Sequence, residues 1–292
     1  ACSLYQFIYN KGFTMNAQQL FEQIRAKRSF LCIGLDSDIA RIPELLLTKE
    51  DPVFEFNKAI IDATVKYVVA YKPNLAFYEH RGAAGWNTLY KTVSYIKKMY
   101  PDIFLIADAK RGDIANTARM YADAFFKTFP FDAVTLSPYM GHDTVEPFLR
   151  YNDKWAILLA LTSNGSFDDF QMIKNADTGR LLFEEVIAKM MNLSTENNMM
   201  FVVGATRWEM LAKVRKLAPE HFLLVPGVGE QGGSLAEMAK HGMNKRCGLL
   251  VNSARSIIYV DRSMRFAEAA GAAARNLQQE MESLLKEANL VD

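Results

Sequence analysis

From residue 30 onward the chain repeats one pattern: a short unbroken apolar run, a few polar or glycine residues, then a stretch with apolar positions at helical spacing. The apolar runs predict strands over 30–35, 67–71, 103–107, 133–136, 156–161, 201–204, 222–225 and 248–251. Between them, segments such as 53–65, 87–99, 114–129 and 181–191 are long enough for crossover helices. Apolar runs without alternation indicate strands buried on both faces, as in parallel sheets covered by helices. Eight such units in this length predict a single-domain (β/α)8 barrel, a TIM barrel in the α/β class, rather than an open sheet. A further helix over 17–27, with Asn16 as its cap, precedes the first strand and is expected to close the barrel floor. Apolar positions at helical spacing over 263–288 predict a final covering helix, or two that part near Gly271.

Polar residues gather where the apolar runs end. Strand one ends in Asp36, strand two in Lys72-Pro73-Asn74, and strand three in Asp108-Ala109-Lys110. Strand five ends in Thr162-Ser163-Asn164, strand seven in Pro226-Gly227, and strand eight in Asn252-Ser253-Ala254-Arg255. In a barrel these ends share one rim, where sites are built. Any one of the groups could be a helix cap or a turn; six on one rim read as a site. The densest is Asp108-Ala109-Lys110-Arg111-Gly112-Asp113-Ile114, whose competing reading is a solvated charged turn. Charges packed so closely shift one another's pKa values, which makes a lysine usable as an acid or base.

Composition adds limits. The 34 basic and 33 acidic residues leave a net charge of +1, so no global field favours nucleic acid or an acidic membrane. No apolar run approaches the ~18 residues of a membrane span. Cys32 and Cys247 lie in apolar runs and read as buried thiols suited to a reducing cytoplasm. The four histidines lack metal-ligand spacing, and no metal or cofactor is expected. Residues 1–14 have neither a basic nor an apolar signal region and read as an upstream extension or cloning remnant, with the catalytic domain over 15–292.

The glycine-rich stretch 227–233 and Arg255, on consecutive strand ends, suit a phosphate. The chemistry opposite it centres on Lys110, either as proton donor or as Schiff-base nucleophile, with flanking aspartates favouring the donor.

Together these motifs resemble the orotidine 5'-phosphate decarboxylase family, particularly its longer bacterial and apicomplexan-type branch. Asp108 to Ile114 matches the D-x-K-x-x-D-I signature. Tyr71-Lys72-Pro73-Asn74, Ser137-Pro138-Tyr139-Met140-Gly141, Thr162-Ser163-Asn164 and the stretch from Pro226 through Gln231 to Gly233 follow in order. The resemblance implies cofactor-free conversion of orotidine monophosphate to uridine monophosphate by a homodimer, with no nucleic-acid or membrane partner. It implies a charged tetrad of Lys72, Asp108, Lys110 and Asp113, the last supplied across the dimer together with Thr117. It further implies ribose contacts from Asp36, Lys72 and Asn74, and pyrimidine contacts from Ser163 with Thr162 nearby. Gln231 and Arg255 would hold the phosphate, and Ile114 and Pro226 would complete the binding set. The run Ser163-Asn164-Gly165 departs from the proline-containing turn of many relatives. Two rivals stand beside this reading. One is a magnesium-dependent sister barrel acting on sugar phosphates, which carries an acidic group where this chain has Lys72. The other is a silent phosphate-binding barrel.

Overall fold

The structure, a computed structural model, describes residues 15–204, 208–227 and 234–292. Eight parallel strands close into one barrel in sequence order: β1 (Leu31–Leu35), β2 (Ala70–Pro73), β3 (Phe104–Arg111), β4 (Ala133–Leu136), β5 (Trp155–Leu161), β6 (Met199–Val203), β7 (Phe222–Pro226) and β8 (Leu249–Ser253). β8 returns to β1 through the register Leu31↔Val251 and Cys32↔Asn252. The strands are buried almost throughout, as their continuous apolar runs require.

The helices follow in chain order as α1 (Ala17–Lys27), α2 (Pro52–Thr64), α3 (Ala76–Glu79), α4 (Gly82–Met99), α5 (Ala115–Asp123), α6 (Glu146–Leu149), α7 (Leu182–Met190), α8 (Trp208–Leu217), α9 (Leu235–Gly242), α10 (Arg255–Ile258) and α11 (Phe266–Glu287). Asn16 caps α1 through a reciprocal pair: its Oδ1 accepts from Gln19 N at 3.0 Å, and Gln19 Oε1 accepts from Asn16 N at 2.9 Å. The Trp155 indole donates to the Met15 carbonyl at 2.6 Å, which seats the start of α1 beneath β5. Phe104 and Phe222 meet Trp155 edge to face at 5.7 and 6.4 Å, filling the barrel floor.

Several boundaries move from the sequence-based expectation. The second strand starts at Ala70, not 67, because residues 65–67 form a 3-10 turn. The third runs past 107 to Arg111. The segment 114–129 is α5 continued by a π turn over Ala124–Thr128. The C-terminal stretch is one helix across Gly271, where a side chain would come within 3.0 Å of the Ala63 carbonyl of α2. Helix α11 is also tied to the end of α1: Arg28 pairs with Glu282 at 2.7 Å, and Gln278 donates to the Lys27 and Arg28 carbonyls. Residues 1–14 lie outside the described residues. Cys32 and Cys247 are buried free thiols, as expected, and burial pushes each up to about 12.

Candidate active site

The centre of the rim is Asp108, 9% exposed, in the C-terminal half of β3. Lys72, 5% exposed on β2, donates to its Oδ2 at 2.6 Å. Lys110 donates to its Oδ1 at 2.5 Å from a position half exposed to solvent. Burial pushes the Asp108 carboxyl up, but attraction and hydrogen bonds from Lys72 and Lys110 outweigh it, and the group lies well below the ordinary carboxylate range. Burial likewise disfavours the Lys72 ammonium; Asp108 and Asp36 reverse this and raise it. This cluster is not a solvated turn.

The geometry of β3 differs from a plain strand. Asp108 and Lys110 do turn to one side, but Lys110 sits at φ +47° and the register against β4 shifts between Ala107 and Arg111. The Thr135 hydroxyl on β4 accepts from both Ala109 N and Lys110 N at 2.9 Å. Arg111 turns inward: it donates to the Ala109 carbonyl at 3.0 Å, pairs with Glu79 at the end of α3, and stacks over Tyr121. Neither Thr135 nor Glu79 stands out in the sequence. Each acts across elements, and a single threonine in a buried strand carries no local mark.

Asp36 follows β1. Its Oδ1 is buried without a hydrogen-bond partner, and so is Asn252 Oδ1 on β8. Both flank the space above Gly34, where a Cβ would lie 3.3 Å from Asp36 Oδ1, 3.4 Å from Asn252 Oδ1 and only 2.7 Å from Ala254 Cβ. Burial raises the Asp36 carboxyl, and Lys72 offsets this only in part. The Tyr259 hydroxyl, between the Asp36 carbonyl and Asp38 N at 2.8 and 2.6 Å, fixes the loop. Two orphaned acceptors facing one gap suit a ligand that brings hydroxyl donors.

Asn74 is joined to Asp108 by an isolated parallel bridge. After β5, Gln171 grips Thr162 at two points, its Oε1 accepting from Thr162 N at 2.8 Å and its Nε2 donating to Oγ1 at 2.7 Å. Ser163 packs on Gly204 at the end of β6, where a Cβ would come within 2.7 Å of Ser163 Cβ and 2.8 Å of its nitrogen. Pro226 ends β7, and Arg255 opens α10 and acts on Asp36 through space. Gln231 lies outside the described residues. Asp113 is apart from this group: its Oδ1 accepts from Ile114 N, and among the described residues it forms no ion pair within its own chain. Ile114 and Thr117 are likewise exposed at the start of α5. Among the described residues no cluster of three histidine, cysteine or acidic side chains is spaced to hold a metal ion.

The model of the orotidine 5'-phosphate decarboxylase / HUMPS family matches residues 29–270. The chain belongs to this family. Within the orotidine 5'-phosphate decarboxylase / HUMPS family, it is 58% identical over 271 residues to the orotidine 5'-phosphate decarboxylase of Phocaeicola vulgatus, covering 93% of this chain and 99% of that one. It is also similar to the solved structure of Leishmania donovani OMP decarboxylase, with 36% identity, a TM-score of 0.76 and coverage of 92% and 99%. Against Leishmania donovani UMP synthase the TM-score is 0.80 at 38% identity; the match covers 93% of this chain but 57% of that longer protein. The resemblance drawn from the motifs and the closed-barrel architecture therefore hold. No helix among the described residues is long and apolar enough to cross a membrane.

Proposed function

We propose that this enzyme decarboxylates orotidine 5'-monophosphate to uridine 5'-monophosphate and carbon dioxide, the last step of de novo UMP synthesis. The observation that carries the reading is Asp108 held between two ammonium groups, at 2.6 Å from Lys72 and 2.5 Å from Lys110. A magnesium-dependent sister reaction needs acidic ligands, and Lys72 fills that place with a cation. A silent barrel has no use for so strained a charge cluster.

In this mechanism the substrate carboxylate lies against Asp108, whose depressed pKa keeps it anionic. As the C6–carboxyl bond breaks, carbon dioxide leaves and the electron pair stays on C6. The Lys110 ammonium stabilises that developing charge and then delivers its proton to C6, so charge stabilisation and protonation come from one group. The amine regains its proton from solvent, and no cofactor is required. Asp36, Asn74 and Lys72 take the ribose hydroxyls, a role supported by the orphaned Asp36 Oδ1. Thr162 and Ser163 read the pyrimidine, and Gln231 and Arg255 take the phosphate with Pro226 beside them.

Asp113 and Thr117 act in the partner's site of a homodimer, and Ile114 completes the binding set. In support, Asp113 has no ion pair of its own among the described residues, and Ile114, Met120, Tyr139 and Met140 are each large apolar side chains left half exposed or more, Tyr139 being 78% exposed. The same reading puts the enzyme in the cytoplasm, in keeping with its free buried thiols.

The test is loss of orotidine monophosphate absorbance with a chelator present. Turnover is expected in the wild type, with at least a roughly thousandfold loss in Lys110→Ala. Turnover that appears only with added magnesium would reject the reading. Mixing Lys110→Ala with Asp113→Ala chains should restore about a quarter of wild-type activity if sites are shared across a two-fold dimer. No recovery would reject the shared site.

A further inference from the structure

The pairing of β3 with β4 contains a defect of unusual form. Ala107 pairs with Val134 and Arg111 with Leu136. Three residues on β3, Asp108, Ala109 and Lys110, therefore stand opposite one on β4, Thr135. A ladder cannot span that mismatch with backbone groups alone, and a bulge leaves amides unpaired. Here one side chain takes them. Thr135 is 1% exposed, and its Oγ1 accepts from Ala109 N and Lys110 N, both at 2.9 Å. Its own proton faces Asp108 Oδ1 at 3.2 Å. A hydroxyl offers two lone pairs and one proton, so this one is used to capacity.

The opposite face of the same segment is held as well. The Ala109 carbonyl accepts from Arg111 Nη1 at 3.0 Å, and Arg111 Nη2 is anchored by Glu79 beyond β2. The anchor joins the segment carrying Lys110 to the one carrying Lys72. What the clamp holds is costly: Lys110 lies in the left-handed region at φ +47°, which a long side chain adopts only under external constraint. That conformation brings Lys110 Nζ back onto Asp108, two residues earlier in the chain.

We infer that Thr135 is a positioning residue for the reaction: its hydroxyl, with Arg111 on the far side, holds the bulged Ala109–Lys110 backbone so that the Lys110 ammonium is aimed at the reacting carbon. The inference rests on the decarboxylase reading for its kinetic consequence, but not for its geometry. Thr135 touches no reacting atom. Its effect falls on the chemical step rather than on substrate capture, because the ribose and phosphate contacts lie on other strands.

The experiment compares Thr135→Val, which keeps the shape and loses the hydroxyl, with Thr135→Ser, which keeps the hydroxyl. For orotidine monophosphate, Thr135→Val should lower kcat about a hundredfold, the order expected when a reacting group is misplaced by an ångström. KM should stay within about threefold, and Thr135→Ser should recover kcat to within about threefold of wild type. Amide exchange at Ala109 and Lys110, followed by mass spectrometry without substrate, should quicken at least about tenfold in Thr135→Val and not in Thr135→Ser. Unchanged kcat in a folded Thr135→Val protein, or a serine variant as poor as valine, would overturn the inference. Should Thr135→Val fail to fold, Arg111→Met attacks the same peptide from the other side; a fall in kcat at constant KM supports the clamp, and an unchanged kcat overturns it. A wild type that does not turn over orotidine monophosphate rejects the proposed function alone. The amide-exchange comparison then decides the clamp by itself.

Discussion

Lys72 Nζ lies 2.6 Å from Asp108 Oδ2, with both side chains less than a tenth exposed. Removing the ammonium leaves a buried carboxylate that keeps, among the described residues, one charged partner, the half-exposed Lys110, and the neutral Thr135 hydroxyl. Lys72→Met should therefore lower unfolding free energy by about 3 kcal/mol, the usual cost of breaking a buried pair. Asp108→Asn in the same background should restore part of it. Urea unfolding of the two single variants and the double gives the coupling energy, and additive effects would count against the pair.

The acid limb of stability follows from the same carboxyl. Asp108 is depressed in the folded chain below its ordinary value of 3.8. A depressed acid contributes stability that is complete above its unfolded pKa and is lost as pH falls toward the folded one. The stability difference between wild type and Asp108→Asn should thus be flat from neutral pH down to about 4 and shrink below it. Lys72, raised above 10.5, has the opposite window: its contribution is complete below that value and fades as pH climbs through the folded pKa. Chemical unfolding measured across pH tests both limbs.

Asp36 presents the reverse balance, a carboxyl raised by burial with an unpartnered oxygen. Asp36→Asn removes the buried charge, so thermal stability should hold or rise, while KM for orotidine monophosphate rises about tenfold or more. A less stable variant with normal KM would contradict this assignment.

Gly204 lies directly under Ser163. Gly204→Ala should push the loop after β5 outward, costing about 1–3 kcal/mol of stability and raising KM more than it lowers kcat. Steady-state kinetics beside thermal unfolding separates the two effects.

The floor of the barrel offers a control. Asn16→Ala breaks the reciprocal cap of α1 and should cost about 1 kcal/mol, leaving kcat and KM as they are. A kinetic effect would mean that α1 reaches the site.

Much of this molecule is written locally. Uninterrupted apolar runs mark all eight strands because burial on both faces forbids polar alternation, and the rim residues follow since each run must end. Asp108, Lys110 and Lys72 were legible for that reason. The bulge was not: nothing in Ala107-Asp108-Ala109-Lys110-Arg111 announces that Thr135, on the next strand, will take two of its amides. Arg111 reads as a solvent-facing charge until Glu79 and Tyr121 are found beside it. Asn252 sits among other strand-end polar residues, and only its missing partner singles it out. Strand existence depends on sequence neighbours, whereas these contacts depend on which strands become neighbours in space.

The closure of β8 onto β1 has a consequence for synthesis on the ribosome. Asp36 and Arg255 flank the last seam to form, so the emerging polypeptide holds an open sheet and an incomplete binding face until almost its whole length is available. Ligand cannot guide the early stages of such a fold, and stabilisation by substrate begins only once the ring is shut. A truncated translation product lacking β8 would be inert and would expose two unpaired sheet edges, a form suited to clearance by proteases rather than to partial activity.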